Sequence, residues 1–335
     1  MRIPYFPGCT LHAKARGFDA SARAAALALD IVMEELPEWT CCGATFPMAA
    51  DSAMGLVAPT RILASAKEAG RLLTLCSFCY NTLKRTNRVL TTDAERRRKV
   101  TTFIEEEYEG NVRTVHLLEV LRDEVGFDAL AQRVTKRLDG LKVAPYYGCL
   151  LLRPAEEMEF DDPERPSILE NFLASLGCQV VDFPHKTECC GSFVAVSSPE
   201  MATECSARIL ETAAKLGAEM LVVSCPLCQY NLDRAQREVR AGQARVARIP
   251  VLYFSQLLAI ALGCDEACLH LDMHAVDPRP RLSKWLGQES QATVIFGHLM
   301  AGNFTGDDTG ENGGHDEGFR KKCRVLRNAF PLPGS

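Results

Sequence analysis

Hydrophobic positions along this chain follow two alternating rhythms. Short, almost continuous apolar runs at Ile3–Phe6, Arg71–Leu75, Leu141–Tyr147, Gln179–Phe183, Glu219–Ser224 and Val251–Phe254 read as buried strands. Between them the spacing becomes helical. Residues 166–176 place Ile168, Leu169, Phe172, Leu173 and Leu176 on one face and stop at Gly177. Residues 199–216 open after Ser198, a residue suited to cap a helix, and close at Gly217. Further helices are predicted from the first strand to Met33, near Pro59–Ala69, from Pro226 to about Arg240, and from the last strand on to Leu262. Strand and helix in alternation predict an α/β protein with small, mostly parallel sheets flanked by helices.

The same order of features occurs twice. Cys9, the Cys41-Cys42-Gly43 triplet and Cys76-x-x-Cys79 are answered by Cys149, Cys189-Cys190-Gly191 and Cys225-x-x-Cys228. Subtracting positions gives offsets of 140, 148, 148, 149 and 149, so one insertion separates two otherwise collinear patterns. The neighbours recur too, with Cys79-Tyr80-Asn81-Thr82-Leu83 set against Cys228-Gln229-Tyr230-Asn231-Leu232. This is a duplication, and it predicts two homologous domains, residues 1–140 and 141–285. Residues 286–335 form a C-terminal extension, expected to be partly flexible around the Gly/Asp-rich stretch Thr305–Gly318.

Composition narrows the function. The 335 residues are 47% hydrophobic and 24% charged, enough for a buried core in each half. A net charge of −5 argues against nucleic acid as the main partner. The basic run Arg96-Arg97-Arg98-Lys99 sits beside Glu95 and Glu105-Glu106-Glu107 and reads as a solvated helix face. No run of about 18 apolar residues is present, so no membrane-spanning helix is expected. The first residues carry no charged-then-apolar leader, and a cytoplasmic location is expected. Structural disulfides are rare there, so 15 cysteines point to metal or redox chemistry.

The placement of the cysteines is informative. Cys9, Cys76, Cys149 and Cys225 each follow a predicted strand, at the carboxyl edge where open α/β sheets bind ligands. The glycine after each cysteine pair permits the tight turn that adjacent ligands need. Thiolates favour iron–sulfur clusters, zinc or copper(I). Zinc takes four tetrahedral ligands, whereas each repeat offers five cysteines, two of them adjacent, which suits a polynuclear centre better. Iron–sulfur is therefore the leading reading, with zinc or unliganded thiols as the alternatives.

The ten-cysteine pattern, with the segments Tyr5-Phe6-Pro7-Gly8-Cys9, Tyr146-Tyr147-Gly148-Cys149-Leu150-Leu151-Leu152-Arg153-Pro154 and Phe254-Ser255-Gln256-Leu257-Leu258, resembles the paired CCG domains of the heterodisulfide reductase B subunit (HdrB) family from residue 1 to about 285. The resemblance implies one noncubane [4Fe-4S] cluster on Cys9, Cys41, Cys42, Cys76 and Cys79, and a second on Cys149, Cys189, Cys190, Cys225 and Cys228. It implies the catalytic member of a complex that reduces a disulfide, or oxidises two thiols, between the clusters. Electrons would come from a ferredoxin-like C subunit served by a flavin-containing A subunit. The chain has neither a ferredoxin-type cysteine run nor a Gly-x-Gly-x-x-Gly signature in a strand–helix context, so it needs such partners. The rival class is an electron-transfer protein of a lactate-, glycolate- or quinone-linked complex.

Weaker signals surround these motifs. His12 and Lys14 follow Cys9, and His185, Lys186 and Glu188 precede Cys189, within reach as proton donors or anion anchors, although ordinary loop residues look the same. Arg153 is the better candidate for gripping a substrate anion, and on that reading Arg153→Ala weakens substrate binding while leaving the metal content intact. Cys178 and Cys205 stand outside both repeats and are expected to be buried thiols. Cys264, Cys268, His270 and His274 resemble a metal set on paper but have no counterpart in the first repeat.

Overall fold

A computed structural model describes residues 1–44, 53–238 and 248–287. Two four-stranded sheets organise residues 1–287. The first contains β1 (Arg2–Phe6), β2 (Val32–Glu35), β3 (Arg71–Thr74) and β4 (Arg113–His116), in the order β2-β1-β3-β4. The second contains β5 (Lys142–Tyr146), β6 (Gln179–Val180), β7 (Met220–Val223) and β8 (Val251–Tyr253), in the order β6-β5-β7-β8. Strand for strand the order is the same, and every pairing is parallel. The expected α/β duplication is the fold.

Parallel neighbours need crossover connections, and helices supply them. In β7 all four residues, Met-Leu-Val-Val, are buried, as a strand covered on both faces requires. The register also aligns the strand ends. Phe6 pairs with Thr74 and Thr74 with His116, while Tyr146 pairs with Val223 and Val223 with Tyr253. Gly8-Cys9 and Cys76 therefore leave one sheet edge together, as do Gly148-Cys149 and Cys225.

The halves are cross-packed. The Arg16–Ala28 helix of the first repeat buries Phe18, Ala22, Ala25 and Ala26 and packs against the Phe254–Ala261 helix of the second. Phe18 stacks on Tyr253 with ring centroids 4.3 Å apart, and Ser21 Oγ lies 2.6 Å from Ser255 Oγ. The fourth strand of each sheet ends in a matching helix start. The His116 amide donates to Glu119 Oε2 (2.7 Å), and the Tyr253 amide to Gln256 Oε1 (2.9 Å).

The structure corrects several element bounds. The helix expected to run to Met33 ends at Ala28, the chain turns at Asp30 with φ +61°, and Val32–Glu35 becomes the edge strand β2. The strand expected over Gln179–Phe183 is only Gln179–Val180. Ser198 does stand at the head of the Pro199–Lys215 helix, but its side chain makes no capping bond. The extension from residue 288 on, with Thr305–Gly318 and Cys323, lies outside the described residues, as does the end of the helix expected to reach Arg240.

Candidate functional site: two five-thiol centres

Each repeat gathers its five cysteines from three places. The strand-end turn brings Cys9 or Cys149, the glycine-ended loop brings Cys41-Cys42 or Cys189-Cys190, and a helix start brings Cys76 and Cys79 or Cys225 and Cys228. Cys42, Cys76 and Cys79 are buried while Cys9 and Cys41 are exposed. The second repeat keeps this arrangement, with Cys190, Cys225 and Cys228 buried and Cys149 and Cys189 half-buried. Both centres thus have a floor of three thiols and two more at the mouth.

The sulfurs lie side by side. Cys42 Sγ is 3.5 Å from Cys79 Sγ, and Cys190 Sγ is 3.5 Å from Cys228 Sγ. At the first mouth Cys9 and Cys41 are 3.7 Å apart. In the second repeat all five cysteines line one small pocket, with Phe78 and Phe193 beside them. Crowding distorts the thiol acidities. Hydrogen bonds from Cys41 and Cys79 hold Cys42 down to about 3, and those from Cys149 and Cys190 hold Cys189 down to about 2. Their neighbours Cys41 and Cys149 are pushed far up by the same contacts, and Cys190 rises to about 11.

Glycines make room for the sulfurs. A Cβ on Gly8 would sit 2.9 Å from Cys79 Sγ, and one on Gly148 would sit 3.1 Å from Cys228 Sγ, both with φ near +70°. Equivalent side chains tie down the paired-cysteine loops. Thr82 Oγ1 donates to the Ala44 carbonyl (2.6 Å), and Asn231 Nδ2, at the corresponding position, donates to Ser192 Oγ (3.1 Å). Cys76 and Cys225 stand where the Ser77–Thr92 and Pro226–Glu238 helices begin, so amide dipoles favour negative charge at the floor of each centre.

The donor set fits an iron–sulfur group. It consists of thiols alone, convergent, cradled by glycine and placed at helix starts, which suits a soft, anionic, polynuclear guest. Among the described residues, no three or more of His, Cys, Asp and Glu surround a single-ion position. The Cys264/Cys268 set is no exception. Both nitrogens of the His274 ring face side-chain amides, Gln229 Nε2 at 3.3 Å and Gln256 Nε2 at 2.9 Å. Cys178 is buried as expected, whereas Cys205 is only half-buried.

Arg153, His185 and Lys186 lie around the second centre, each already making side-chain hydrogen bonds. The Arg153 guanidinium donates to the carbonyls of Thr187 (3.2 Å) and Pro163 (2.9 Å) and pairs with Glu164 at 2.9 Å. His185 Nδ1 meets Glu188 Oε1 at 2.6 Å, and Lys186 Nζ bridges Glu170 (2.8 Å) and Asp182 (3.0 Å). The Lys186 carbonyl accepts from the amides of Tyr147 and Gly148, which fastens the Cys189 loop to the Cys149 turn. As placed, these residues hold the loop that carries Cys189 and Cys190. Arg153 directs these donors to two backbone carbonyls and Glu164.

Sequence reasoning missed the seam between the centres. Ser77 Oγ lies 3.1 Å from Ser224 Oγ, both buried, each adjacent in sequence to a floor cysteine. Asn81 Nδ2 donates to the carbonyls of Leu150 and Arg153, both at 2.8 Å, and so binds the first CxxC helix to the second repeat. A larger cavity, about 870 Å³, opens beside the first centre. Its wall includes Cys9 from one repeat and Pro226, Leu227 and Tyr253 from the other.

Two matched parallel sheets, each ending in a five-thiol centre, define a duplicated α/β thiol-ligand protein. The chain belongs to the cysteine-rich (CCG) domain family, whose model matches residues 3–84 and again 143–233, and within it to the HdrB-like proteins. It is 35% identical to the 8-methylmenaquinol:fumarate reductase membrane anchor subunit of Wolinella succinogenes, over 82% of this chain and 96% of that one. It is 30% identical to the B subunit of the ferredoxin/F420H2-dependent CoB-CoM heterodisulfide reductase of Methanosarcina acetivorans, over 84% and 96%. A crystal structure of a hypothetical protein from Helicobacter pylori shares the fold, with a TM-score of 0.66 and 16% identity, over 82% of this chain and 52% of that one.

Proposed function

We propose that this chain is the redox subunit of a multi-subunit oxidoreductase of the heterodisulfide reductase type. Cys9, Cys41, Cys42, Cys76 and Cys79 hold one noncubane [4Fe-4S] cluster, and Cys149, Cys189, Cys190, Cys225 and Cys228 hold the other. The observation that carries the reading is the pair of five-thiol centres, built alike and joined at the buried Ser77–Ser224 contact. Such clusters supply one-electron chemistry at a sulfur-binding metal surface. The balanced reaction is a disulfide plus two electrons and two protons giving two thiols, or its reverse.

The chain's own residues position the reactants. The glycine turns at Gly8 and Gly148 let the strand ends close on the floor thiols. The cavity beside Cys9, bordered by the residues next to Cys225, gives a ligand a place between the repeats. Electrons arrive from a ferredoxin-like protein and, behind it, a flavin-containing one, matching a chain that offers thiol ligands only. A cytoplasmic setting belongs to the same reading, because a reducing compartment keeps thiols free for ligation. Among the described residues no helix is long and apolar enough to cross a membrane.

The 35% identity to a menaquinol:fumarate reductase subunit favours a second reading, in which the same centres relay electrons without binding a disulfide. Anaerobic purification followed by iron, zinc and acid-labile sulfide analysis, with EPR during titration by thiols and disulfides, separates the two. About eight irons with a thiol-dependent signal supports disulfide chemistry. About eight irons indifferent to every thiol and disulfide leaves the relay. About four irons with zinc in the other centre moves the reading to an electron-transfer or docking subunit.

A further inference from the structure

The two centres are alike in sequence but unlike in access. Around the second, the pocket between the five cysteines has room for about 10 Å³, closed in by Phe78, Leu150 and Phe193. Beside the first lies the cavity of about 870 Å³, large enough for a small organic molecule. A ligand-sized space therefore touches the Cys9 side.

The charges on that cavity are one-sided. Lys14 enters its wall from the first repeat, five residues past Cys9, and Arg237 enters from the second, near the end of the Pro226–Glu238 helix. Neither makes an ion pair with another described residue. Arg234 adds a third cation, held near the ring of Tyr230 with its Nη1 3.0 Å from the hydroxyl. Among the described residues the one carboxylate on the wall, Asp233, is already engaged. It accepts from the amides of Ala275 and Val276 and from Gln229 Nε2. Two cations from opposite repeats thus face a space whose acid is occupied elsewhere.

We propose that this cavity is an anion-binding site in which Lys14 and Arg237, one from each repeat, grip an acidic group of a small organic ligand and set its other end against Cys9. Guanidinium and ammonium groups bind carboxylate or phosphate oxygens through charge-assisted hydrogen bonds. The ligand class is an organic carboxylate or phosphate ester, which a neutral quinol is not. The inference deepens the disulfide reading and rests on it for the reaction, though not for the anion contact.

The test uses the full chain, purified anaerobically, and isothermal titration calorimetry with three probes. 3,3′-Dithiodipropionate is a dianionic disulfide, bis(2-hydroxyethyl) disulfide is its neutral counterpart, and suberate is the dianion with carbon in place of sulfur. The dianionic disulfide is expected to bind at least about tenfold more tightly than the neutral one. Lys14→Gln and Arg237→Gln should each remove about that factor, with iron content unchanged and the neutral probe unaffected, and Lys14→Arg should restore it. Equal affinity for charged and neutral probes overturns the proposal, and so do Gln variants that bind the dianions as the parent does. If suberate binds as well as the disulfide, with the same dependence on Lys14 and Arg237 and no EPR response to either, the anion site stands and the disulfide reading falls.

Discussion

The hydroxyls of Ser77 and Ser224 meet at 3.1 Å, each beside a floor cysteine of a different centre, Cys76 and Cys225. Both serines are buried, so the duplicated halves touch beside both thiol sets without solvent between them. At Ser77 the hydroxyl also reaches the Ser224 carbonyl at 3.3 Å, so the contact fixes backbone as well as side chain.

Removing either hydroxyl leaves its partner buried and less well satisfied. Ser77→Ala and Ser224→Ala should each lower stability by about 1–2 kcal/mol. The double variant should lose less than the two combined, because the second change no longer orphans a partner. Denaturant unfolding of all three variants measures this, and strict additivity would mean that the hydroxyls are not coupled.

The glycines at the strand ends give a sharper result, because each serves one centre. Gly8→Ala forces a methyl to within 2.9 Å of Cys79 Sγ in a left-handed backbone conformation, and Gly148→Ala does the same at Cys228 with 3.1 Å. Each variant should fold but retain about half the iron of the parent, lost from its own half only. Iron analysis combined with Cys79→Ser and Cys228→Ser locates the loss. If Gly8→Ala empties both centres, they do not load independently.

Arg153 should behave as a brace. Its guanidinium ties the Thr187 carbonyl, two residues before Cys189, to the Pro163–Glu164 loop. Arg153→Ala should lower occupancy of the second centre while leaving ligand affinity in the Cys9 cavity unchanged. Metal content and calorimetric binding are read on the same sample. Full iron with weakened binding would return Arg153 to the substrate role that its position in the sequence suggested.

His116 sets a pH limit on the first sheet. Burial holds its imidazole pKa down to about 4, against an ordinary value of 6.5, with Nε2 2.8 Å from the Leu75 carbonyl and Nδ1 accepting from the Leu118 amide. Between those values the unfolded chain binds the proton and the folded one does not. Stability from this group is therefore present above about pH 6.5 and lost as pH falls toward 4, by up to about 3 kcal/mol. Unfolding free energies measured from pH 7 to pH 5 should fall for the parent and fall less for His116→Gln. Parallel curves would mean that the ring titrates alike in both states.

Most of the site was legible because thiol ligands are rare and their order repeats. A duplicated pattern of ten cysteines needs no knowledge of packing. The missed elements were those whose signals are short-range and ambiguous. The Arg16–Ala28 helix ends at Leu29-Asp30, where a non-glycine residue takes φ +61°, so no glycine marks the turn into β2. That strand offers only Val-Met-Glu-Glu, half of it exposed at the sheet edge. β4 escaped for the same reason, since Arg-Thr-Val-His is four residues whose burial comes from neighbours distant in sequence. Arg153 was ambiguous because a lone arginine after a ligand cysteine looks the same whether it grips substrate or backbone. The positions of Thr187 and Pro163 favour the second role, and the Arg153→Ala measurements decide between them.

The placement of the helix starts has a consequence for assembly. The Ser77–Thr92 and Pro226–Glu238 helices begin beside the Ser77–Ser224 contact, so two positive dipole ends meet at one buried seam. Left alone, like poles repel, and the joint between the halves is under electrostatic tension. An anionic guest at either helix start reverses the sign of that term. On the proposed iron–sulfur reading, an anionic cluster at each helix start would serve as a keystone, strengthening a joint that side-chain packing already closes.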